Sequence, residues 1–313
     1  MTKPDPGNHF PPGHFYSPVV DLALARRDES RIWPKEPRLD LPGIDLNPES
    51  HRRLLEDVFT PLLKDFDFPE EHAEPGHYHL KNGLFSNLDA RVYFCLLRHL
   101  KPARVMEIGS GHSTMLCVET AKRFLGGKPK LTCVEPYPAD YLSAVISGYS
   151  AELITTRVQD VSADRFAVLQ SGDILFIDSA HVSKLGSDVN YLFFEILPRL
   201  AEGVYVHVHD IFLPDDYPRK WVFEQNRSWN EQYLLQAFLM FNQSFKVIFG
   251  NNFAQLRWPQ QVASACGRRM GGGSFWIKKQ KYATPLPDPS TRARDQCVRE
   301  KRGPTDRLAR VDT

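Results

Sequence analysis

Apolar residues recur along this chain with two alternating periods. From residue 50 to 64 the period is helical, with Leu54, Leu55, Val58, Leu62 and Leu63 on one face. A second helix is predicted over 87–100, with Asn87 as its N-cap and Pro102 just past its end. Short apolar strands then alternate with helices. The strands fall at 104–108, 131–135, 151–156, 173–178 and 204–209. The helices fall at 114–125, stopped by Gly126-Gly127, and at 139–146, 163–170 and 188–200. Such alternation predicts a parallel sheet covered by helices on both faces. After the fifth strand the period breaks, and residues 211–227 are irregular and aromatic. A helix is expected over 230–241, with Leu234, Phe238 and Phe241 on one face. The last two strands, 245–249 and 274–279, have no helical pattern between them and are expected to pair antiparallel. The pattern as a whole predicts an α/β fold. Its doubly wound seven-stranded sheet is mostly parallel, with a C-terminal antiparallel strand pair.

Proline-rich chain without periodicity precedes these elements. Residues 1–86 are therefore expected to form an N-terminal arm, part extended and part helical, that serves as a lid or wrap. Residues 87–281 form the sheet domain. Residues 282–313, charged and proline-containing, are expected to be a disordered tail. The net charge of +1 argues against capture of nucleic acid by a broad basic face. No apolar run approaches the roughly 20 residues of a membrane span, and the N-terminus has no signal-peptide core. A cytoplasmic protein with no nucleic-acid or membrane partner is expected. Cys95, Cys117, Cys133, Cys266 and Cys297 are scattered and form no CxxC pair, so neither a disulfide framework nor a zinc knuckle is predicted.

The chemistry begins at the end of the first strand of the sheet domain, in Glu107-Ile108-Gly109-Ser110-Gly111-His112-Ser113-Thr114. Glycines there let backbone approach a ligand, and the following helix offers free N–H groups. The turn opens at the carboxyl ends of the strands, where open α/β sheets bind ligands. A dinucleotide fingerprint shares this arrangement but wants a third glycine, where the chain has Thr114. Glu135, ending the next strand, suits the two hydroxyls of a ribose in either case.

Glu-x-Gly-x-Gly, an acid ending the second strand of the sheet and a terminal antiparallel pair together resemble the class I S-adenosylmethionine (SAM)-dependent methyltransferases, over roughly residues 85–280. The resemblance implies a Rossmann-like fold and SAM as cofactor. It places Glu107, Gly109 and Gly111 around the methionine moiety, with Ser110 and Ser113 of the same turn in the cofactor site. It sets Glu135 on the ribose and Asp160 near the adenine amino group. The alternative for Asp160 is a simple cap or loop acid.

Two further clusters end the fourth and fifth strands: Asp178-Ser179-Ala180-His181 and His207-Val208-His209-Asp210. They resemble the metal-dependent O-methyltransferases of the catechol and caffeoyl-CoA type. In that resemblance Asp178, His209 and Asp210 are metal ligands. His181 stands where a catalytic lysine acts as general base, with Asp178 beside it. An imidazole ligand shifts preference from Mg²⁺ towards Mn²⁺, Fe²⁺ or Zn²⁺, and the ion's identity stays open. The bland alternatives are that Asp178 caps a turn and that His207 is a satisfied core histidine.

The expected function is methyl transfer from SAM to a small-molecule acceptor, a hydroxyl by preference, with divalent-metal assistance and His181 as base. Tyr16, Asn82, Trp229 and Glu231 are the candidate substrate contacts. Three alternatives stay open. One is a SAM-binding module without chemistry, and one is a metal-dependent oxidative enzyme on the same fold. A nicotinamide-dependent oxidoreductase ranks lowest. The N-terminal arm could also cross between subunits of a homo-oligomer.

Overall fold

The computed structural model describes residues 9–71, 76–149, 151–267 and 271–281. Seven strands form one sheet: β1 (Arg104–Ile108), β2 (Lys130–Val134), β3 (Ala151–Ile154), β4 (Ile174–Ile177), β5 (Tyr205–Val208), β6 (Phe245–Gly250) and β7 (Phe275–Lys279). Their order is β3-β2-β1-β4-β5-β7-β6. The first five pair in parallel, and β7 runs antiparallel between β5 and β6. This is the doubly wound arrangement with the predicted antiparallel ending. Order reverses between β1 and β4, and the carboxyl ends of those strands form the crevice such sheets use for ligands.

Alternation along the strands divides the core in two. Val105, Cys133, Phe176 and Trp276 face one layer. Met106, Ile108, Leu175, Ile177, Val206 and Phe275 face the other. The first layer is covered by the helices Asn87–Leu100, His112–Phe124 and Asp140–Ser147, and by an unbroken helical run over 48–65 that widens at Leu54–Phe59. Leu54, Leu55 and Phe59 bury their face there, so the predicted helix of residues 50–64 belongs to the same core as the sheet. The second layer is covered by the segment 188–199 and the helix Glu231–Leu239.

The chain before the sheet closes on it through named contacts. His51 accepts a hydrogen bond from the Gly250 backbone N–H at its Nε2 (2.6 Å), while its Nδ1 meets the Asn47 carbonyl oxygen (3.1 Å). Farther forward, two short helices, Leu22–Arg27 and Glu29–Ile32, lie against the insertion that follows β5. Trp33 Nε1 donates to the Tyr217 carbonyl oxygen, Arg219 pairs with Glu29, and the Arg26 guanidinium lies over the Phe223 ring.

Three expectations change. Residues between β6 and β7 carry two helices, Asn251–Arg257 and Pro259–Cys266. These are short and sit under the arm, so packing from three sides replaces the single apolar stripe that periodicity detects. The irregular insertion contains a helix, Arg219–Phe223. Asn87 is no side-chain cap: the cap position is Ser86, and Asn87 itself takes a left-handed φ of 51°. The expected tail, 282–313, and Cys297 lie outside the described residues. Cys95, Cys117, Cys133 and Cys266 are free and buried. Among the described residues no helix is long and apolar enough to cross a membrane.

Candidate active site

The glycine turn after β1 is built from the backbone outward. Gly109 has a φ of 79°, and a Cβ there would lie 2.0 Å from the Asp178 carbonyl oxygen. Only glycine lets the turn pass that close to the end of β4. Glu107, the strand's last acid, is fully buried. Its carboxylate accepts hydrogen bonds from the hydroxyls of Ser113 and Thr114 in the first turn of the next helix. Burial raises its pKa to about 7 against the pull of those hydroxyls. Thr114, which stands in the place of a third glycine, also accepts the Gly111 N–H at 2.9 Å. A side-chain lock between strand and helix thus does what a third glycine would do by close packing. Glu135 completes the turn by accepting the Ser110 N–H (3.1 Å) and the Tyr137 N–H (2.8 Å).

The turn opens into a crevice of about 480 Å³, a size suited to a small-molecule site. Gly109, Ser110, Gly111, Ser113 and Glu135 line one side, and Asp178, His181, His209, Asp210, Arg227 and Trp229 line the other. Within the first side, the Ser110 hydroxyl is buried beside the Cys133 thiol. A turn that only glycine lets pass so close to β4, set before a helix N-terminus, is a cradle that a bound polar cofactor would fill. The cradle therefore fits a nucleoside-bearing cofactor.

The other side is a side-chain network. His181 and Asp210, one just after each strand, both hold left-handed φ values, 59° and 57°. For non-glycine residues this stores strain of order 1 kcal/mol each, a cost seen at functional sites. His181 Nδ1 bonds Glu231 Oε2 at 2.9 Å, and its Nε2 faces Asp178 Oδ1 at 3.3 Å and Asp210 Oδ2 at 3.6 Å. Ser179 donates to the other Glu231 oxygen at 3.0 Å. The Trp229 ring stacks on the imidazole with centroids 4.2 Å apart. The backbone N–H groups of Asn230 and Glu231 both donate to the His181 carbonyl oxygen. Burial lowers the pKa of His181, but Asp178 and Glu231 outweigh it and raise the value to about 10. The ring is an imidazolium at neutral pH.

Several expected residues take other places. Glu231 is fully buried behind His181, with no surface for a substrate. Asn82 spends its amide on the loop that carries Phe85, accepting the Leu84 and Phe85 N–H groups and donating to the His79 and Phe85 carbonyls. Asp160 lies on the surface, paired with Arg157 at 2.8 Å and outside the crevice lining. Tyr16 is 67% exposed in an aromatic cluster with Phe10, His14 and Phe15. Glu107 does not line the crevice; it holds the turn that does. His207 is a core histidine, stacked on Phe176 at 3.8 Å and bonded to Ser274 at 2.9 Å.

The expected metal ligands do not converge. Among the described residues no group of three or more His, Cys, Asp or Glu side chains is arranged to hold an ion. Asp178 and Asp210 turn onto His181, and Asp210 also faces His209 Nε2 at 3.5 Å. Imidazoles stand where a cation would balance the carboxylates.

Residues that carry no motif also shape the site. His112 and Tyr141 stack over the glycine turn with ring centroids 5.8 Å apart. Asp89 accepts the backbone N–H groups of Ser274 (2.7 Å) and Gly273 (3.3 Å) and the side-chain amide of Asn251 (2.9 Å). A Cβ on Gly273 would lie 2.9 Å from the Asp210 Cα, so this contact supports the site's floor. The run Gly271-Gly272-Gly273 before a strand was the available signal.

Comparison with known proteins adds three findings. A family model described as a methyltransferase domain matches residues 106–211, which spans β1 to the end of β5. An uncharacterized protein of Archaeoglobus fulgidus is 40% identical over 171 residues, covering 54% of this chain and 77% of its own length. Among solved structures, the O-methyltransferase TomG of Streptomyces achromogenes, from tomaymycin synthesis and in complex with SAM, aligns with a TM-score of 0.40 at 14% identity. It covers 83% of this chain and 96% of its own. A Burkholderia thailandensis N1-methyltransferase, with bound 1,6-didemethyltoxoflavin and S-adenosylhomocysteine (SAH), gives a TM-score of 0.39 at 15% identity, covering 77% and 93%. The family match begins one residue before the buried acid of the glycine turn and ends one residue after the last acid of the crevice. Residues 106–211 form a methyltransferase domain.

Proposed function

We propose that this enzyme transfers the methyl group of SAM to a hydroxyl of a small-molecule acceptor, with Asp178 taking the proton and His181 held beside it as a fixed cation. The observation that carries the reading is one crevice in which the glycine turn faces the Asp178–His181–Glu231 network. Bound SAM would supply a sulfonium methyl, with the electrons of the breaking S–C bond left on sulfur. Gly109, Ser110, Gly111 and Ser113 would surround its amino-acid part, and Glu135 would receive the ribose hydroxyls. The acceptor hydroxyl donates to Asp178, and its oxygen gains the carbon as the proton passes to that carboxylate. His181 keeps Asp178 ionised, since the imidazolium at 3.3 Å and His209 outweigh the effect of burial and lower its pKa. An imidazolium has no lone pair to offer, so the base expected at His181 moves to its neighbour. Glu231 orients the ring, as a third group does in triads. The insertion after β5 supplies Trp221, Arg227 and Trp229 to the crevice lining and would shield bound reactants from water.

Calorimetric titration with SAH and with NAD, with and without EDTA, tests this. SAH should bind, NAD should not, and methyl transfer should survive EDTA, because the imidazoles already balance the carboxylates. Absence of SAH binding sinks the proposal. Loss of transfer in EDTA, restored by a divalent ion, would favour the metal-assisted mechanism with Asp178, His209 and Asp210 as ligands.

A further inference from the structure

Arg227 stands at the mouth of the crevice in a corner made by two indole rings. Its guanidinium carbon lies 4.1 Å from the Trp221 ring centroid and 4.3 Å from that of Trp229, and the two rings are set at 76° to each other. Indole faces attract a cation but give its N–H groups no acceptor. Three other arginines over rings find an oxygen as well, while Arg26 over Phe223 and Arg257 over Trp258 show no such bond among the described residues. Arg98 reaches Asp65 and the Leu62 carbonyl, Arg123 the Asp67 carbonyl, and Arg219 the Glu29 carboxylate. Among the described residues no carboxylate pairs with Arg227. Its charge is held still by the rings while its donors remain for a ligand.

Asp178 and Asp210, paired with His181 and His209, line the same crevice as Arg227. The Trp229 ring contacts both His181, with centroids 4.2 Å apart, and the Arg227 guanidinium. An acceptor that carries both a hydroxyl and an anionic group can place the hydroxyl on Asp178 and the anion on the guanidinium. The planar fork of arginine suits a carboxylate, bound by two parallel N–H···O bonds.

We propose, building on the methyltransferase reading, that Arg227 is the subsite for a carboxylate on the methyl acceptor, so that the enzyme's substrates are hydroxy acids. Trp221 and Trp229 preorganise it, and the arm reaches the same loop through the Val20 N–H bonded to Ser228 Oγ at 3.2 Å.

The test uses matched pairs of acid and amide: 3,4-dihydroxybenzoate with 3,4-dihydroxybenzamide, and 4-hydroxyphenylacetate with its amide. Each is titrated into the full-length protein saturated with SAH. At least one acid should bind about 10-fold or more tighter than its amide. Arg227→Gln should erase that preference and raise KM with kcat little changed, and Arg227→Lys should keep part of it. SAH affinity should stay within about 3-fold in both variants, which reports that the cofactor side is intact. The proposal is overturned if no acid of the set outbinds its amide, or if the preference survives in Arg227→Gln. Failure of SAH to bind the wild type is a separate result: it removes the methyltransferase reading, while an acid preference measured without SAH would still support the Arg227 subsite.

Discussion

The two walls of the crevice are built by different means. On the β1–β2 side, backbone lines the crevice: Gly109, Ser110 and Gly111 pass along it with their N–H groups held by the Val134 carbonyl, Glu135 and Thr114, and Glu107 works behind them. On the β4–β5 side, side chains meet the ligand, and a second rank of buried side chains aims them. Glu231 and Trp229, some 50 residues after His181 in the chain, fix its ring, one at its Nδ1 edge and the other on its face. A backbone site is specified by a few consecutive residues, and a side-chain site by residues scattered over several loops. The first can stay constant while side chains of the second change with the substrate, since the two walls meet through backbone, where Gly109 passes the Asp178 carbonyl.

Separate substitutions on each wall should therefore divide cofactor binding from turnover. Asp178→Asn should lower kcat by about 10³-fold or more with SAH affinity within a few-fold, because it removes the proton acceptor but not the backbone cradle. Calorimetry beside a transfer assay checks this, and parallel loss of SAH affinity would show the walls to be coupled. Gly109→Ala should do the reverse of that separation. Its left-handed φ costs about 1–3 kcal/mol and its methyl meets the Asp178 carbonyl, so SAH affinity and thermal stability should both fall. Unchanged SAH binding in this variant would break the assignment of the turn. Glu231→Gln should lower kcat by roughly 10–100-fold and leave KM nearly unchanged, because it frees the ring without touching substrate. A rise in KM alone would return Glu231 to the role of a substrate contact.

An effect on stability alone lies outside both walls. His51 is held neutral, its Nε2 accepting the Gly250 N–H, and burial lowers its pKa to about 4. The unfolded chain, with an ordinary histidine near 6.5, takes up the proton first as pH falls. Stability contributed by this site is thus full above pH 6.5 and is lost as pH drops towards 4. The slope of stability with pH over that window should flatten in His51→Asn, by an amount on the order of 3 kcal/mol in all. Denaturant titrations at several pH values would show it, and equal slopes would remove His51 as the cause. Neither wall should respond, since the contact lies between the arm and β6.

Legibility in the sequence followed the same division. The alternation of strands and helices, the antiparallel ending and the glycine turn each depend on local pattern, and all could be read in advance. So could the two acid–histidine clusters, because a strand's carboxyl end is a place defined by topology. What side chains do once there was not readable. Glu231 was singled out for its neighbours on an aromatic loop, yet its function comes from the fold bringing it beneath His181. Asp160 matched a position in a family pattern, but Arg157, three residues earlier, claims its carboxylate at the surface. The expected metal ligands failed to converge for a similar reason. Asp178 and Asp210 found cations nearer than an ion, in imidazoles whose charge depends on burial and company. The helices between β6 and β7 were hidden by their length and by burial on several sides.

Asp89 ties the first helix of the sheet domain to its last strand. One carboxylate accepts from Ser274 and Gly273 at the entry to β7 and from Asn251 after β6. Chain segments about 180 residues apart are thus joined at a single point, beneath Asp210. The domain behaves as a belt with a buckle: its two ends are sequence-distant but mechanically one piece. Shortening the chain before Gly273 would do more than strip an edge from the sheet. It would undo the buckle and let the acid at the end of β5 drop out of the site, whereas the loops on the rim can lengthen or shorten without loosening it.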